Sequence, residues 1–433
     1  MKHQHEHESE ENSVAEYRGL NALIYARPSS GNLSSERTFK LSYPATLSST
    51  MGGTIQFVVN SGSEYVWGPT CYLKCKLNVT VGGTLPTING SFLNMISQVR
   101  MYHRSGELLE LVNVGADILA NIKLRYQTSY SDYVKLSNQI GAAPIPGNIG
   151  YPSVNGMPDL NSTGDITVNL PLSFFLGVFD NHSQYIPSSL LSGARIELVL
   201  NNNSGDAMQL TNLTINSVSP VLALDCCKLY DEASKQILEE SSNVQESGIQ
   251  FVYSTYFASQ FKPQAGAINI DILQSASLTE RAIVVNSKSD GTDKYSFRSL
   301  NTAGFSYQFR IGAHYLPIYS IADDTEAFNQ AQIAFNGLNN QYSRAPSHTG
   351  VSVRSFYFQD ATTNVSSGFG INAVYATSLE KSASGVSLSG EPTNNSRIIN
   401  FSAVGTSSAF VTTVFLQYIR VANCMIDSCV VDR

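Results

Sequence analysis

The chain has 433 residues, enough for two domains of about 200 residues each. Only 14% of them are charged, well under the ~25% of an ordinary globular protein, and the net charge is −7. No run of Lys and Arg is available to grip phosphates, which argues against direct sequence-specific nucleic-acid binding. No stretch reaches the ~18 apolar residues of a membrane-spanning helix.

Residues 1–35 read as an arm. Met1 to Ala15 (MKHQHEHESEENSVA) has no apolar period and is dominated by acidic and His residues, as in a disordered tail rather than a secretory signal. His3, His5 and His7 fit a solvated tail better than a metal site. The poorly periodic character continues to Pro44, which reads as more arm or an extended lead-in.

Residues 36–225 read as a first β domain. Strands are expected at Thr54–Asn60, Pro69–Thr80, Phe92–His103 and Glu107–Val114. In the second of these, Cys71, Leu73, Cys75, Leu77 and Val79 share one face. The period then changes: Ile118, Leu119, Ile122 and Tyr126 fall on one helical face, so a helix is expected within Val114–Tyr126. A long Ser/Asn/Gly/Pro stretch, Gln127 to Gly164, reads as a loop whose length marks a functional or interaction element. Strands return at Asp165–Leu172, Ala194–Leu200 and about Leu210–Leu224.

Residues 226–247 read as a helical linker. Cys226 to Glu246 (CCKLYDEASKQILEESSNVQE) is charged and helix-prone, with a short helix expected over Tyr230–Glu240. Residues 248–433 repeat the order of the first domain without a residue-level repeat. Strands are expected at Gln250–Phe261, Ala267–Ile272, Glu280–Asn286 and Gly304–Ile311. A helix over Asp323–Asn339 follows, then strands at Ser355–Gln359, Gly370–Ser378, Arg397–Ala403, Ala409–Val421 and Met425–Val431.

The residues offer little chemistry. The six cysteines form three local pairs, Cys71/Cys75, Cys226/Cys227 and Cys424/Cys429, without structural-zinc spacing, and read as buried free thiols. Asn-x-Ser/Thr sequons, for example at Asn78, Asn161 and Asn400, are expected by chance at this composition. Asp323-Asp324 and Glu239-Glu240 fit helix ends better than a hydrolase pair. His103, His182, His314 and His348 lie near turns or strand ends. No Gly-x-Ser-x-Gly elbow is present, and Gly52-Gly53 and Gly82-Gly83 fit hairpin turns rather than a phosphate loop. The sequence therefore points to no catalytic, metal, ligand or cofactor site.

One stretch carries more. Leu170-Pro-Leu-Ser-Phe-Phe175 runs through a loop to Tyr185-Ile186-Pro187, Leu190-Leu191 and Ile196-Glu-Leu-Val-Leu200. This resembles a block of the double jelly-roll major capsid proteins, the lineage of polinton-like viruses, virophages and the adenovirus hexon. Phe309-Arg310-Ile311-Gly312-Ala313-His314-Tyr315-Leu316-Pro317, followed by Glu326-Ala327-Phe328, resembles the second-domain block of that family. Leu388-Ser389-Gly390 before Glu391-Pro392 resembles its last turn.

The resemblance covers Gly52 to the C-terminus. It implies an all-β chain of two tandem eight-stranded jelly rolls, each with a short inserted helix. It also implies a non-enzymatic capsid protein that forms pseudo-hexagonal trimers in an icosahedral virion. Pro171, Phe174, Phe175, Tyr185, Pro187, Leu190, Arg310, Gly312, Tyr315 and Pro317 are the implied folding and assembly positions. The implied partners are two further copies, neighbouring capsomers, penton and minor capsid proteins, and an inner membrane reached by the N-terminal arm. The alternative is a tandem β-sandwich spike that binds a receptor or glycan, for which the lone Trp67 and the many Tyr do not decide.

Overall fold

A computed structural model describes residues 34–45, 49–82, 91–128, 163–182, 184–202, 210–230, 249–262, 266–288, 306–336, 373–381, 397–404, 410–424 and 429–432, with short pieces at 87–88, 135–136, 139–141, 294–295, 297 and 390–393. Its first half is built from eight main strands. These are β1 (Ser34–Ser42), β2 (Thr54–Val58), β3 (Tyr72–Val81), β4 (Ile96–Tyr102), β5 (Leu108–Val112), β6 (Gly164–Pro171), β7 (Arg195–Leu200) and β8 (Leu213–Leu229). They form two antiparallel sheets, β1-β8-β3-β6 and β2-β7-β4-β5.

The second half repeats this plan. Its strands are β9 (Ile249–Phe261), β10 (Ala267–Ile272), β11 (Ala276–Lys288), β12 (Ser306–Ile311), β13 (His314–Ile321), β14 (Val374–Ser378), β15 (Ile399–Val404) and β16 (Phe410–Cys424). They pair as β9-β16-β11-β14 and β10-β15-β12-β13. Each strand of the first half thus has its counterpart eight places on, in the same position of the same sheet. Helix α1 (Ala116–Tyr126) follows β5, and helix α2 (Asp324–Asn336) follows β13.

Side-chain alternation explains the sheets. Along β3, Leu73, Cys75, Leu77 and Val79 are fully buried, while Lys74, Lys76, Asn78 and Thr80 are exposed. On β7, Ile196, Leu198 and Leu200 close the same core from the opposite sheet. In the second half, Tyr307 of β12 meets Tyr375 of β14 across the two sheets at 4.8 Å, and Phe309 packs on Phe401 at 5.0 Å. Such tilted aromatic pairs each add about 1 kcal/mol beyond the area they bury.

Three expectations need correction. The first concerns the arm. Ser34–Ser42 is not lead-in but an edge strand, paired with β8 from Ser34↔Leu229 to Ser42↔Leu222. Its large apolar residues Phe39 and Leu41 face outward, as does Tyr43 just beyond it, so no core pattern marks it. The second concerns the linker. Cys226–Leu229 does not open a helical segment; it completes β8, with Cys226 and Cys227 buried as small apolar residues. Residues 231–248, and with them most of the expected helix, lie outside the described residues, as does Ser355–Gln359. The third concerns Phe92–Met95, which is a buried 3-10 turn capped by Ser91 rather than the start of β4.

Candidate assembly surfaces and the junction between the two halves

The ten positions singled out in the sequence fall into two groups. Pro171 ends β6, and Phe174 and Phe175 are buried in the turn that follows. Pro187 opens a single helical turn, where its carbonyl accepts the amides of Leu190 and Leu191, and Leu190 is fully buried. Four of these five are buried, and Pro171 is partly so.

Tyr185 is different. It is 48% exposed and packs on Trp67 at 4.8 Å. In the second half, Arg310 is exposed on β12 and faces Tyr315 in register on β13. Gly312 makes the tight turn between those strands at φ +56°, a backbone angle natural for glycine. Tyr315 is 46% exposed, and the Pro317 carbonyl accepts the Gln308 amide at 2.9 Å. Proline is tolerated there because β13 is an edge strand.

The sequence reading missed the junction between the halves, which is organised on α1. All eleven residues of α1 are buried, its charged side chains included. Gly115, the N-cap at φ +70°, brings the helix start against Phe415 of β16. The Asp117 carboxylate receives Lys294 Nζ at 2.5 Å, the Tyr295 hydroxyl at 2.7 Å and Asn201 Nδ2 at 2.9 Å. Arg125 stacks over Phe297 at 4.8 Å, and Tyr126 lies on Phe335 of α2 at 4.8 Å. The helix is buried all round because one side packs into the first half and the other onto the second.

A second seam runs beside it. Lys123 Nζ donates to Asp180 Oδ2 and to the Ser173 carbonyl, both at 2.8 Å, and lies over the Tyr256 ring. Burial acts to lower the Lys123 pKa, but Asp180 beside it raises it overall. On β5, Glu110 Oε1 accepts the Gly177 amide at 2.9 Å, whereas Oε2 is buried without a partner. Burial pushes this carboxyl up to about 7, against the pull of Lys123. The Tyr253 hydroxyl and Arg420 both donate to the Leu109 carbonyl, at 2.8 and 2.6 Å.

A cleft of about 710 Å³ opens at this seam, lined by Asp180, His182, Ser254, Glu280, Arg281 and Gln417 among others. Its carboxylates are engaged. Glu280 accepts Ser254 Oγ and Gln417 Nε2, and Asp180 takes Lys123 and lies 3.6 Å from His182 Nε2. His103 is held between Ser105 Oγ and the Ser189 carbonyl, and His314 is exposed; His348 lies outside the described residues. Among the described residues, no group of three or more His, Cys, Asp or Glu could hold a metal. What this arrangement does chemically is join the two halves through buried polar contacts that flank the cleft.

With that geometry in view, the chain superposes on solved capsid structures over nearly its whole length. The faustovirus major capsid protein matches with a TM-score of 0.62 at 9% identity, covering 93% of each chain. The fold is a double jelly roll. The capsid of the virus PBCV-1 matches at 0.59 and 11% identity, over 95% of this chain and 100% of that one. The mavirus major capsid protein matches at 0.54 and 12% identity, over 94% and 92%. At such identities the likeness is one of fold. No protein-family model and no curated protein matches the sequence. In jelly-roll terms, β1–β8 with α1 is the first roll and β9–β16 with α2 the second.

Proposed function

We propose that this double jelly roll is a major capsid protein that assembles as pseudo-hexagonal homotrimers into an icosahedral viral shell. One observation carries the reading. The two rolls repeat each other strand for strand and are locked by a helix buried on every side, so that one chain presents two equivalent bricks in a fixed relation. A shell subunit needs that fixed relation; a tandem binder on a flexible linker does not. The low charge content supports it, since lateral contacts desolvate whatever they cover. The likeness to faustovirus and mavirus major capsid proteins points the same way.

In this reading the protein belongs to the virion. Its partners are other copies, neighbouring capsomers, and penton and minor capsid proteins. The acidic stretch Met1–Ala15 has no basic cluster to hold DNA, so the partners proposed for it are an inner membrane or adjoining capsomers. Gel filtration and electron microscopy of the purified chain test this. A stable trimer that forms sheets or shells is expected; a glycan-binding monomer that never assembles would overturn it in favour of the spike reading. Deleting Met1–Ser13 is expected to leave the trimer intact and to impair shell formation, so normal shells from the deleted chain would refute the role of the arm.

A further inference from the structure

Asp117 gathers side chains that together can do more than hold a seam. Lys294 Nζ stands 2.5 Å from Asp117 Oδ2, and Asn201 Nδ2 donates to the same oxygen at 2.9 Å. An ion pair needs only the acid and the base. Here a carboxamide shares the acceptor, so an amine, a carboxylate and an amide meet at one atom. Lys294 belongs to the second roll, between β11 and β12. Asn201 directly follows β7, and Asp117 sits in the first turn of α1, both in the first roll.

The Asn201 amide is held in one orientation. Its nitrogen faces two acceptors, Asp117 Oδ2 and the Asn94 carbonyl at 2.6 Å, which only the NH2 end can satisfy. The carboxylate is fixed as well: Oδ1 accepts the Ile118 amide at 2.9 Å, and Oδ2 accepts the Tyr295 hydroxyl at 2.7 Å. Asp117, Asn94, Tyr295 and Asn201 are all buried, which keeps water from the amide. The Lys294 side chain is 24% exposed, which leaves a small product a way out.

We propose that Lys294 and Asn201 form an isopeptide bond across the two rolls, with Asp117 as the catalytic base and acid. Asp117 takes a proton from the Lys294 ammonium, which frees the lone pair of Nζ. Nζ attacks Asn201 Cγ: the Nζ–Cγ bond forms, and the carbonyl π pair moves to Oδ1. Asp117 hands its proton to Nδ2 and takes one from Nζ. The Oδ1 pair closes the carbonyl again, the Cγ–Nδ2 bond breaks, and ammonia leaves with that bond's electrons. The ammonia picks up the proton left on Asp117. One ammonium is released, no electron changes hands, and Asp117 ends as it began. Both nitrogens already share one oxygen, and such proximity replaces the collision that makes this exchange slow in solution. The ion pair is the ground state from which the bond forms, and it holds the seam until then. The bond follows from these three side chains whatever the rolls assemble into.

Intact-mass spectrometry and peptide mapping of the purified full chain, fresh and after days of warming, test this. The wild type is expected to lose the mass of one ammonia and to yield a branched peptide joining Asn201 to Lys294. Cyclisation at an Asn-Gly step such as Asn89-Gly90 loses the same mass but gives no branched peptide. Lys294→Arg keeps a cation for Asp117, but its guanidinium stays protonated and is no nucleophile, so this variant should give no branched peptide. Asp117→Asn keeps an acceptor for Tyr295 and should form the bond at least about a hundredfold more slowly. Circular dichroism checks that both variants are folded. A wild type that gives no branched peptide after prolonged warming would overturn the cross-link. A bond formed as fast in Asp117→Asn as in the wild type would overturn the role of Asp117.

Discussion

The Tyr295 hydroxyl donates a 2.7 Å hydrogen bond to Asp117 Oδ2, across the boundary between the two jelly rolls. The same oxygen takes Lys294 and Asn201, so a single buried carboxylate ties α1, the end of β7 and the second roll together. Burial and the neighbouring carboxylate hold the Tyr295 phenol protonated, as a donor, well beyond its ordinary range. Removing Asp117 leaves an ammonium and a phenol without their acceptor. Asp117→Ala is therefore expected to cost about 4 kcal/mol, the scale for breaking a buried ion pair from one side. Lys294→Met should cost about 3 kcal/mol, less than Asp117→Ala, because the buried carboxylate loses its cation but keeps Tyr295, Asn201 and the Ile118 amide. Urea unfolding of both variants checks the order, and equal losses would contradict it.

Glu110 sets a pH dependence. Its ordinary value near 4.5 rises to about 7 in the fold. Between those values the unfolded chain has released the proton and the folded chain still holds it. Stability therefore falls as pH rises from about 4.5 to about 7, and stays low above that. At ~1.4 kcal/mol per pH unit the full loss is about 3 kcal/mol. Glu110→Gln keeps an acceptor for the Gly177 amide and cannot ionise. It should flatten the stability curve across this window and exceed the wild type by up to about 3 kcal/mol at pH 8. Denaturant midpoints at pH 5 and pH 8 read this directly.

At Gly177 the first roll lies close against the β9 backbone of the second. A Cβ there would stand 1.6 Å from the Ser254 carbonyl oxygen and 2.8 Å from Glu110 Oε1. Both are fixed, one as β9 backbone and the other by full burial. Gly177→Ala should therefore separate the rolls rather than disturb either core. The expected outcome is a larger radius of gyration in solution scattering, with strand content retained in circular dichroism. A compact variant with wild-type dimensions would show that the seam can yield.

Much of the fold is legible in the sequence, and the reasons are local. Period-two burial gives away β3, β7 and β10, and the change of period at Ile118 gives away α1. β1 escapes because its apolar row points outward, which reverses the usual pattern. The junction escapes for a related reason. Asp117, Lys123 and Arg125 look like the solvent side of an amphipathic helix, and only the second roll's Lys294, Tyr256 and Phe297 make them interior. A faint signal was present: charges of both signs on a helix whose other residues are almost all apolar. The exposed Ile318 and Tyr319 gave none, since an apolar residue in a strand reads as core wherever it points.

The cysteines offer a test of the first roll's core. Cys71 and Cys75 are buried between its sheets, and burial pushes both thiols up to about 12; Cys226 rises to about 11 for the same reason. Cys71 is also engaged on both sides, its thiol donating to the Trp67 carbonyl at 3.3 Å and its sulfur accepting the Asp225 amide at 3.4 Å. The thiolate is the reacting species, so at pH 8 each is about a thousandfold or more short of it, before shielding slows access further. Iodoacetamide at pH 8 should therefore leave these three positions unmodified in the native chain for hours and label all three within minutes in guanidinium. Peptide mapping resolves each site. Rapid native labelling at Cys75 would mean that β3 does not face a closed core, and the sheet pairing β8-β3-β6 would have to be redrawn.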